Sequence, residues 1–221
     1  MRRPNSIGFV NNLPTLNNLT SIRSGILFVI SAPSGAGKTT LITTLRQKPD
    51  FEYSVSCTTR PPRPGERHGE HYFFLDSETF SDHVNNGDFL EFAEVHGHSY
   101  GTLKSTIVSF LAQGIDVLMD VDTLGAERIR ACQDPIIQNA LADIFIMPPG
   151  LDELERRLRA RSTESEKQIS TRLHNAAVEM EKWRDYRYTI VSGSRKADVD
   201  AFRSIMRAER SLSRRLTLSP Q

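Results

Sequence analysis

Residues 32–39 read Ala-Pro-Ser-Gly-Ala-Gly-Lys-Thr and follow directly on residues 26–30, Ile-Leu-Phe-Val-Ile. A buried strand, a tight turn of small residues and then a helix form the setting of a phosphate-binding loop. Small side chains let the backbone curl so that successive N–H groups point at one anion. Lys38 then reaches the terminal phosphates and the Thr39 hydroxyl offers a Mg²⁺ position. The following helix, with Leu41, Ile42 and Leu45 on its buried side, aims its positive end at the same anion. Ala32, Pro33, Ser34, Gly35, Ala36, Gly37, Lys38, Thr39 and Thr40 are thus the candidate polyphosphate-binding residues. Ala32 stands where the general pattern has Gly, and a Gly/Ser-rich turn capping a helix is the competing reading of the same residues.

A chain of 221 residues holds one sizeable domain, or a core with inserted subdomains. Its 28 basic and 27 acidic side chains leave a net charge of +1, so nothing calls for a nucleic-acid or membrane partner. No apolar stretch is long enough to span a bilayer. Cys57 and Cys132 lack metal-ligand spacing and imply no disulfide framework, which makes a reducing cytoplasm the expected location. No Asp or Glu precedes Asp50, while Arg2, Arg3, Arg23, Lys38, Arg46 and Lys48 all do. That asymmetry fits a positive field around the phosphate site or a short basic tail equally well. Residues 1–24 are Asn-rich, with Pro4 and Pro14. They are expected to be a disordered tail; a transit peptide or an early start codon is the other way to read them.

Four apolar runs, 26–30, 117–121, 144–147 and 188–191, read as buried strands with helical patterns between or after them, the signature of a parallel α/β sheet. One helix follows Thr102, with Leu103, Ile107, Phe110 and Leu111 on a face and Gly114 as its stop. Another carries Leu151, Leu154 and Leu158. The longest spans about 164–183, where Ile169, Leu173, Ala176, Met180 and Trp183 step by four, three, four and three. Thr163 and Glu166 fit a capping box at its start, and Trp183 fits its buried face. A last helix carries Val199, Phe202, Ile205 and Met206. Residues 53–101 break this alternation. Short β-like pieces at 53–57, 71–75, 89–95 and 98–100, a helix near Phe80 and Val84, and dense Pro and Gly turns read as an inserted subdomain.

That insertion suggests a second substrate. Arg60 and Arg63, with Tyr72, can clamp an anion through forked N–H donors and a phenol; a Pro-stiffened, solvated loop would carry the same residues. Asp120 and Asp122 stand two apart at the end of an apolar run. They would leave the sheet on one face, near the phosphate loop, to hold Mg²⁺ directly or through water, or else cap the next helix. His96-Gly97-His98 lacks a third ligand and reads as a turn.

The stretch 54–66, Gly69-Glu70-His71-Tyr72, Phe89-Leu90-Glu91-Phe92-Ala93, Tyr100-Gly101-Thr102, Asp120-Val121-Asp122 and the phosphate loop together resemble the guanylate kinase family, in order and with its spacings, from about residue 25 to about 190. The resemblance implies ATP + GMP → ADP + GDP, with Mg²⁺ accompanying ATP, on a P-loop NTPase-type parallel sheet with a small β-rich nucleotide-binding subdomain and a helical lid. It places a domain at 25–215, with core segments at about 25–52, 103–150 and 184–215, the GMP subdomain at about 53–102 and the lid at about 151–183. Arg60, Arg63, Tyr72 and Tyr100 would hold the GMP phosphate. Ser56, Glu91 and Thr102 would read the guanine, and Asp122 would help position the acceptor. Residues 32–40 would bind ATP, while Thr39 and Asp120 would serve the metal. Lys38, Arg157, Arg161 and Arg172 would be catalytic, the arginines as parts of a mobile lid. The assignment of Glu91 has a physical basis: guanine presents N1–H and a 2-amino group as adjacent donors, which a carboxylate accepts side by side. A surface carboxylate on a strand flanked by Phe89 and Phe92 is the plainer alternative.

Partners are then the small molecules ATP and GMP, with the chain a monomer or a homo-oligomer. Two departures stand out. Leu124 occupies a usual Gln position, and Val191-Ser192-Gly193 replaces Val-Asn-Asp, which puts the adenine contacts in question. A non-catalytic protein-binding relative typically loses phosphate-loop residues, and Gly37, Lys38 and Thr39 are kept. A GTPase switch would match Asp122-Thr123-Leu124-Gly125 but needs a downstream Asn-Lys-x-Asp that is missing. A P-loop kinase for another small acceptor is the third alternative.

Overall fold

The computed structural model describes residues 19–95, 97–160 and 165–220. In chain order the elements begin with β1 (Leu19–Arg23), β2 (Leu27–Ser31), α1 (Lys38–Leu45), β3 (Glu52–Tyr53), β4 (Cys57–Thr58), β5 (Phe73–Phe74), α2 (Ser77–Asn85), β6 (Phe89–Val95) and β7 (His98–Leu103). They continue with α3 (Lys104–Ala112), β8 (Val117–Asp120), α4 (Thr123–Ala131), α5 (Pro135–Ala140), β9 (Leu141–Met147), α6 (Leu151–Arg159) and α7 (Glu166–Glu181). A 3₁₀ turn (Lys182–Asp185), β10 (Tyr188–Val191), α8 (Arg195–Arg210) and β11 (Leu216–Pro220) complete the chain.

The central sheet runs β10-β9-β2-β8-β3, and all its pairs are parallel. Every residue of β2 is buried, because the sheet is covered on both sides. Ile26, Phe28 and Ile30 face α1 and α8, where the Phe28 and Phe202 rings meet edge to face at 5.7 Å. Leu27 and Val29 face the opposite way, onto Ile107 and Leu111 of α3, Ile129 of α4 and Ile137 of α5. A strand buried on both faces has no polar alternation, which is why this segment reads as one apolar run. Parallel order also brings the C-terminal ends of β2 and β8 to one edge, which carries the phosphate loop and Asp120.

A second sheet, β5-β4-β7-β6, is antiparallel except between β4 and β5. Its small core holds Cys57, Phe80 and Phe89, with the two rings 4.6 Å apart. Residues 53–57, read as one strand, divide between the sheets: Glu52–Tyr53 joins the core edge beside β8, and Cys57–Thr58 joins the second sheet. Of 71–75 only Phe73–Phe74 pair. Two helices, α4 and α5, had no separate sequence reading; Asp122 and Asp134 cap their N-termini.

Three further expectations change. Leu19–Arg23, placed in a disordered tail, forms a strand antiparallel to Leu216–Pro220, which lies beyond the expected end of the domain at 215. The capping box of α7 is Ser165 with Gln168, not Thr163 with Glu166; Thr163 lies outside the described residues, and Glu166 instead pairs with Arg159 at 2.5 Å. Trp183 is not core. The helix tightens into the 3₁₀ turn before reaching it, and its ring is 37% exposed, with the Arg184 guanidinium 4.7 Å from its centre. Gly97 forms the turn between β6 and β7, and His96 lies outside the described residues.

Candidate active site

The loop after β2 delivers backbone donors. Ala36 N–H closes the turn on Pro33 O at 3.1 Å, and Gly37 adopts φ +106°, a left-handed conformation that suits glycine. Gly37 also starts α1 without a side-chain cap, so the amides of the first turn are available to an anion. Lys38 Nζ lies 2.5 Å from Asp120 Oδ1 and donates to Val121 O at 2.7 Å. The lysine is thereby held across the end of β8.

Two clefts flank this loop. One, of about 320 Å³, is lined by the loop residues, Thr39, Asp122 and Glu179. The other, of about 350 Å³, lies between the loop and Arg156, Arg157, Ser192, Gly193 and Asp198. In the second, Ser192 Oγ donates to Asp198 Oδ2 at 3.0 Å, and Gly193 N–H donates to Asp198 Oδ1 at 2.8 Å. The wall is built from the first turn of α8.

Asp122 differs from its expected geometry. The strand ends at Asp120, and the Asp122 carboxylate accepts from Gly125 N–H at 2.7 Å as the N-cap of α4. The two aspartates therefore do different work, Asp120 on Lys38 and Asp122 on the helix start, although Asp122 still lines the phosphate cleft.

On the acceptor side the trio comes together. Ser56 Oγ and Thr102 Oγ1 are 3.1 Å apart, and Thr102 donates to Glu91 Oε1 at 2.9 Å. Burial pushes the Glu91 carboxyl above its usual range. The Thr102 hydrogen bond offsets part of that push, the Asp122 charge adds to it and Arg128 opposes it. Glu91 Oε2 and Asp122 Oδ1 both flank Gly125, each 3.3 Å from where its Cβ would stand, and Asp122 also lines the phosphate cleft. Arg60 is held by both oxygens of Glu66, at 2.8 and 2.9 Å, with its guanidinium 5.5 Å from the centre of the Tyr72 ring. Tyr72 and Tyr100 pack edge to face at 5.9 Å. Arg63 is exposed and meets Glu66 through its backbone N–H, at 2.8 Å.

Helices α6 and α7 lean on the loop. Arg157 Nη1 donates to Ala36 O and Arg172 Nη1 to Ser34 Oγ, each at 3.3 Å, while Glu153 orients Arg157 at 2.7 Å. Arg161 lies outside the described residues. Glu179, on α7, had no sequence signal beyond its place in a periodic helix. Burial and the Asp122 charge raise its carboxyl, against Lys38 and a hydrogen bond from the Ser34 backbone.

The model of the family described as guanylate kinase matches residues 24–209. The chain belongs to the guanylate kinase family. It is 44% identical over 194 residues to the guanylate kinase of Sphingopyxis alaskensis, covering 87% of this chain and 86% of that one. It is 45% identical over 189 residues to that of Escherichia coli K12, covering 84% and 89%. The crystal structure of guanylate kinase from Anaplasma phagocytophilum superposes with a TM-score of 0.68 at 31% identity, covering 90% of this chain and 93% of that one. Against the guanylate kinase pattern, both departures fall at the surface or in the donor cleft. Leu124 is 55% exposed, and Ser192 is buried with its hydroxyl committed to Asp198.

Proposed function

We propose that this chain transfers the γ-phosphoryl group of ATP to GMP, giving ADP and GDP. The observation that carries the reading is the hydrogen-bonded line Ser56–Thr102–Glu91, whose carboxylate flanks Gly125 together with Asp122, a residue of the phosphate cleft. A carboxylate held by one hydroxyl keeps lone pairs for guanine N1–H and N2–H. Adenine has no donor there and would leave Glu91 buried and unpaired. Sites built on such a polar partner reject the wrong analogue by about 10⁴–10⁵-fold.

The donor triphosphate lies on the amides of residues 35–40 with Lys38 at its terminal phosphates. The GMP phosphate lies on Arg60, Arg63, Tyr72 and Tyr100. One oxygen of the GMP phosphate attacks the γ-phosphorus in line, the bond to the β–γ bridging oxygen breaks and ADP leaves with that electron pair. No proton need move, so catalysis is placement and charge neutralisation. Lys38, Arg157, Arg161 and Arg172 spread positive charge over the migrating group, and closure of α6 and α7 keeps water from competing.

The donor set suits Mg²⁺. Thr39 and Asp120 offer hard oxygen ligands, and the described residues contain no group of three or more His, Cys, Asp or Glu that would cage an ion. An ion held by one or two protein oxygens, with water and phosphate completing its shell, is the usual Mg²⁺ arrangement. Bound there, it would supply charge neutralisation at the β- and γ-phosphates.

A coupled ADP-release assay with ATP and each nucleoside monophosphate tests the proposal. GMP is expected to be the preferred acceptor; comparable turnover of AMP or UMP would overturn it.

A further inference from the structure

The face of α4 turned to β6 carries a feature that the reaction scheme does not use. A Cβ built on Gly125 would stand 3.1 Å from Val121 Cβ, 3.3 Å from Asp122 Oδ1 and 3.3 Å from Glu91 Oε2. Each separation is tighter than ordinary packing allows, so any side chain at 125 displaces a neighbour by a few tenths of an ångström. Val121 is buried in the core and Asp122 is fastened to Gly125 N–H. Glu91 Oε2 is the neighbour with freedom to move, since the hydrogen bond from Thr102 reaches Oε1 instead. Along the same helix Arg128 places its guanidinium 5.1 Å from the centre of the Phe92 ring.

We infer that the start of α4 positions Glu91 for guanine: Gly125 leaves the space in which the carboxylate lies. Gly125 is a positioning residue, acting through Glu91, and the inference rests on the proposed reading of guanine by that carboxylate. The arrangement binds acceptor specificity to the element that starts at Asp122, beside the phosphate cleft. Two carboxylates, Glu91 and Asp122, approach one helix start. The absence of a side chain at 125 is what leaves room for that close approach.

A double-mutant cycle separates positioning from folding. Gly125→Ala is expected to raise KM for GMP about tenfold, with KM for ATP and kcat changed little. It should weaken GMP affinity in calorimetry by the same factor. In the Glu91→Asp background, where the shortened side chain no longer reaches position 125, the same substitution should add little. Additive effects, or an unchanged KM for GMP, would overturn the inference. Should Gly125→Ala not fold, the Glu91→Asp/Gly125→Ala pair decides by circular dichroism: a chain that folds again shows that the added Cβ meets Glu91 and supports the inference, and a chain that stays unfolded overturns it. Glu91→Gln is run alongside. If it shifts the GMP to AMP ratio while Gly125→Ala does not, the α4 inference alone fails. If it shifts nothing, the guanine reading falls and the inference with it.

Discussion

Lys38 and Glu91 carry the two halves of the proposed chemistry, and each is held by neighbours that define its test. Lys38 bridges Asp120 and the backbone at Val121. Lys38→Ala should lower kcat by at least about 10³-fold while circular dichroism and the urea midpoint stay near wild type; substantial retained turnover would remove the lysine from its role. Glu91 has a sign that can be worked out. Its carboxyl is raised above the ordinary 4.5, first by burial and further by Asp122. The folded chain therefore holds this proton more tightly than the unfolded one, and stability contributed by Glu91 falls as pH rises from the unfolded value through the raised one. The guanine contact proposed for Glu91 needs the ionised form, so GMP affinity should rise over that same window. Glu91→Gln should flatten the dependence and narrow the preference over AMP, as affinity measured across pH for both nucleotides would reveal. Cys57 is the contrasting case. Burial pushes its thiol up to about 11, which makes it a neutral packing group and a poor nucleophile near neutral pH.

At the scale of elements, α6 seats directly on the phosphate loop. Leu154 and Leu158 are buried and would stand 2.9 and 3.2 Å from a Cβ on Gly35, so the loop and the helix pack without a spacer. Leu158→Ala should cost about 2–5 kcal/mol and also raise KM for ATP. A urea melt and a KM measurement together check this, and a stability loss with KM for ATP unchanged would uncouple helix from loop. The wall of the donor cleft is a second element-scale matter. Ser192 and Gly193 both give their hydrogen bonds to Asp198, so neither has a donor left for a base at that position. Other nucleoside triphosphates should therefore serve as donors at rates within about tenfold of ATP. Strict dependence on ATP would show that contacts elsewhere choose the base.

For the whole molecule, the first and last described segments are tied to the core by buried charge. Arg215 and Glu209 are each 1% exposed and paired. Tyr188 donates to the same carboxylate at 2.6 Å, and Arg215 Nη1 reaches Asn139 O at 2.6 Å. Burial alone would raise the Glu209 carboxyl, but the hydrogen bonds from Tyr188 and Arg215 and the charges of Arg215 and Arg187 outweigh it and hold it low. Its stabilisation is complete above the unfolded value and is lost as pH falls through the folded one. Glu209→Gln, which strands a buried guanidinium, should cost about 3–5 kcal/mol and shallow the acid limb of the stability profile. A second network joins Asp116 to Arg23 at 2.5 Å and to Arg210 at 2.7 Å, fixing β1 and α8 to the start of β8.

The amino-acid order alone determined whatever depends on neighbours in the chain. The phosphate loop needs small residues in succession, helices such as α7 show their period, and the doubly covered strands show unbroken apolar runs. Resemblance added the acceptor residues Ser56, Glu91 and Thr102 because their motifs stand at family spacings. Tertiary structure alone decided what depends on residues far apart. It paired Leu19–Arg23 with Leu216–Pro220, split 53–57 between two sheets and brought Glu179 to the loop. The physical reason is that local propensity is a property of a few consecutive residues. Pairing, burial and electrostatic coupling belong to surfaces that exist only once the chain has closed on itself.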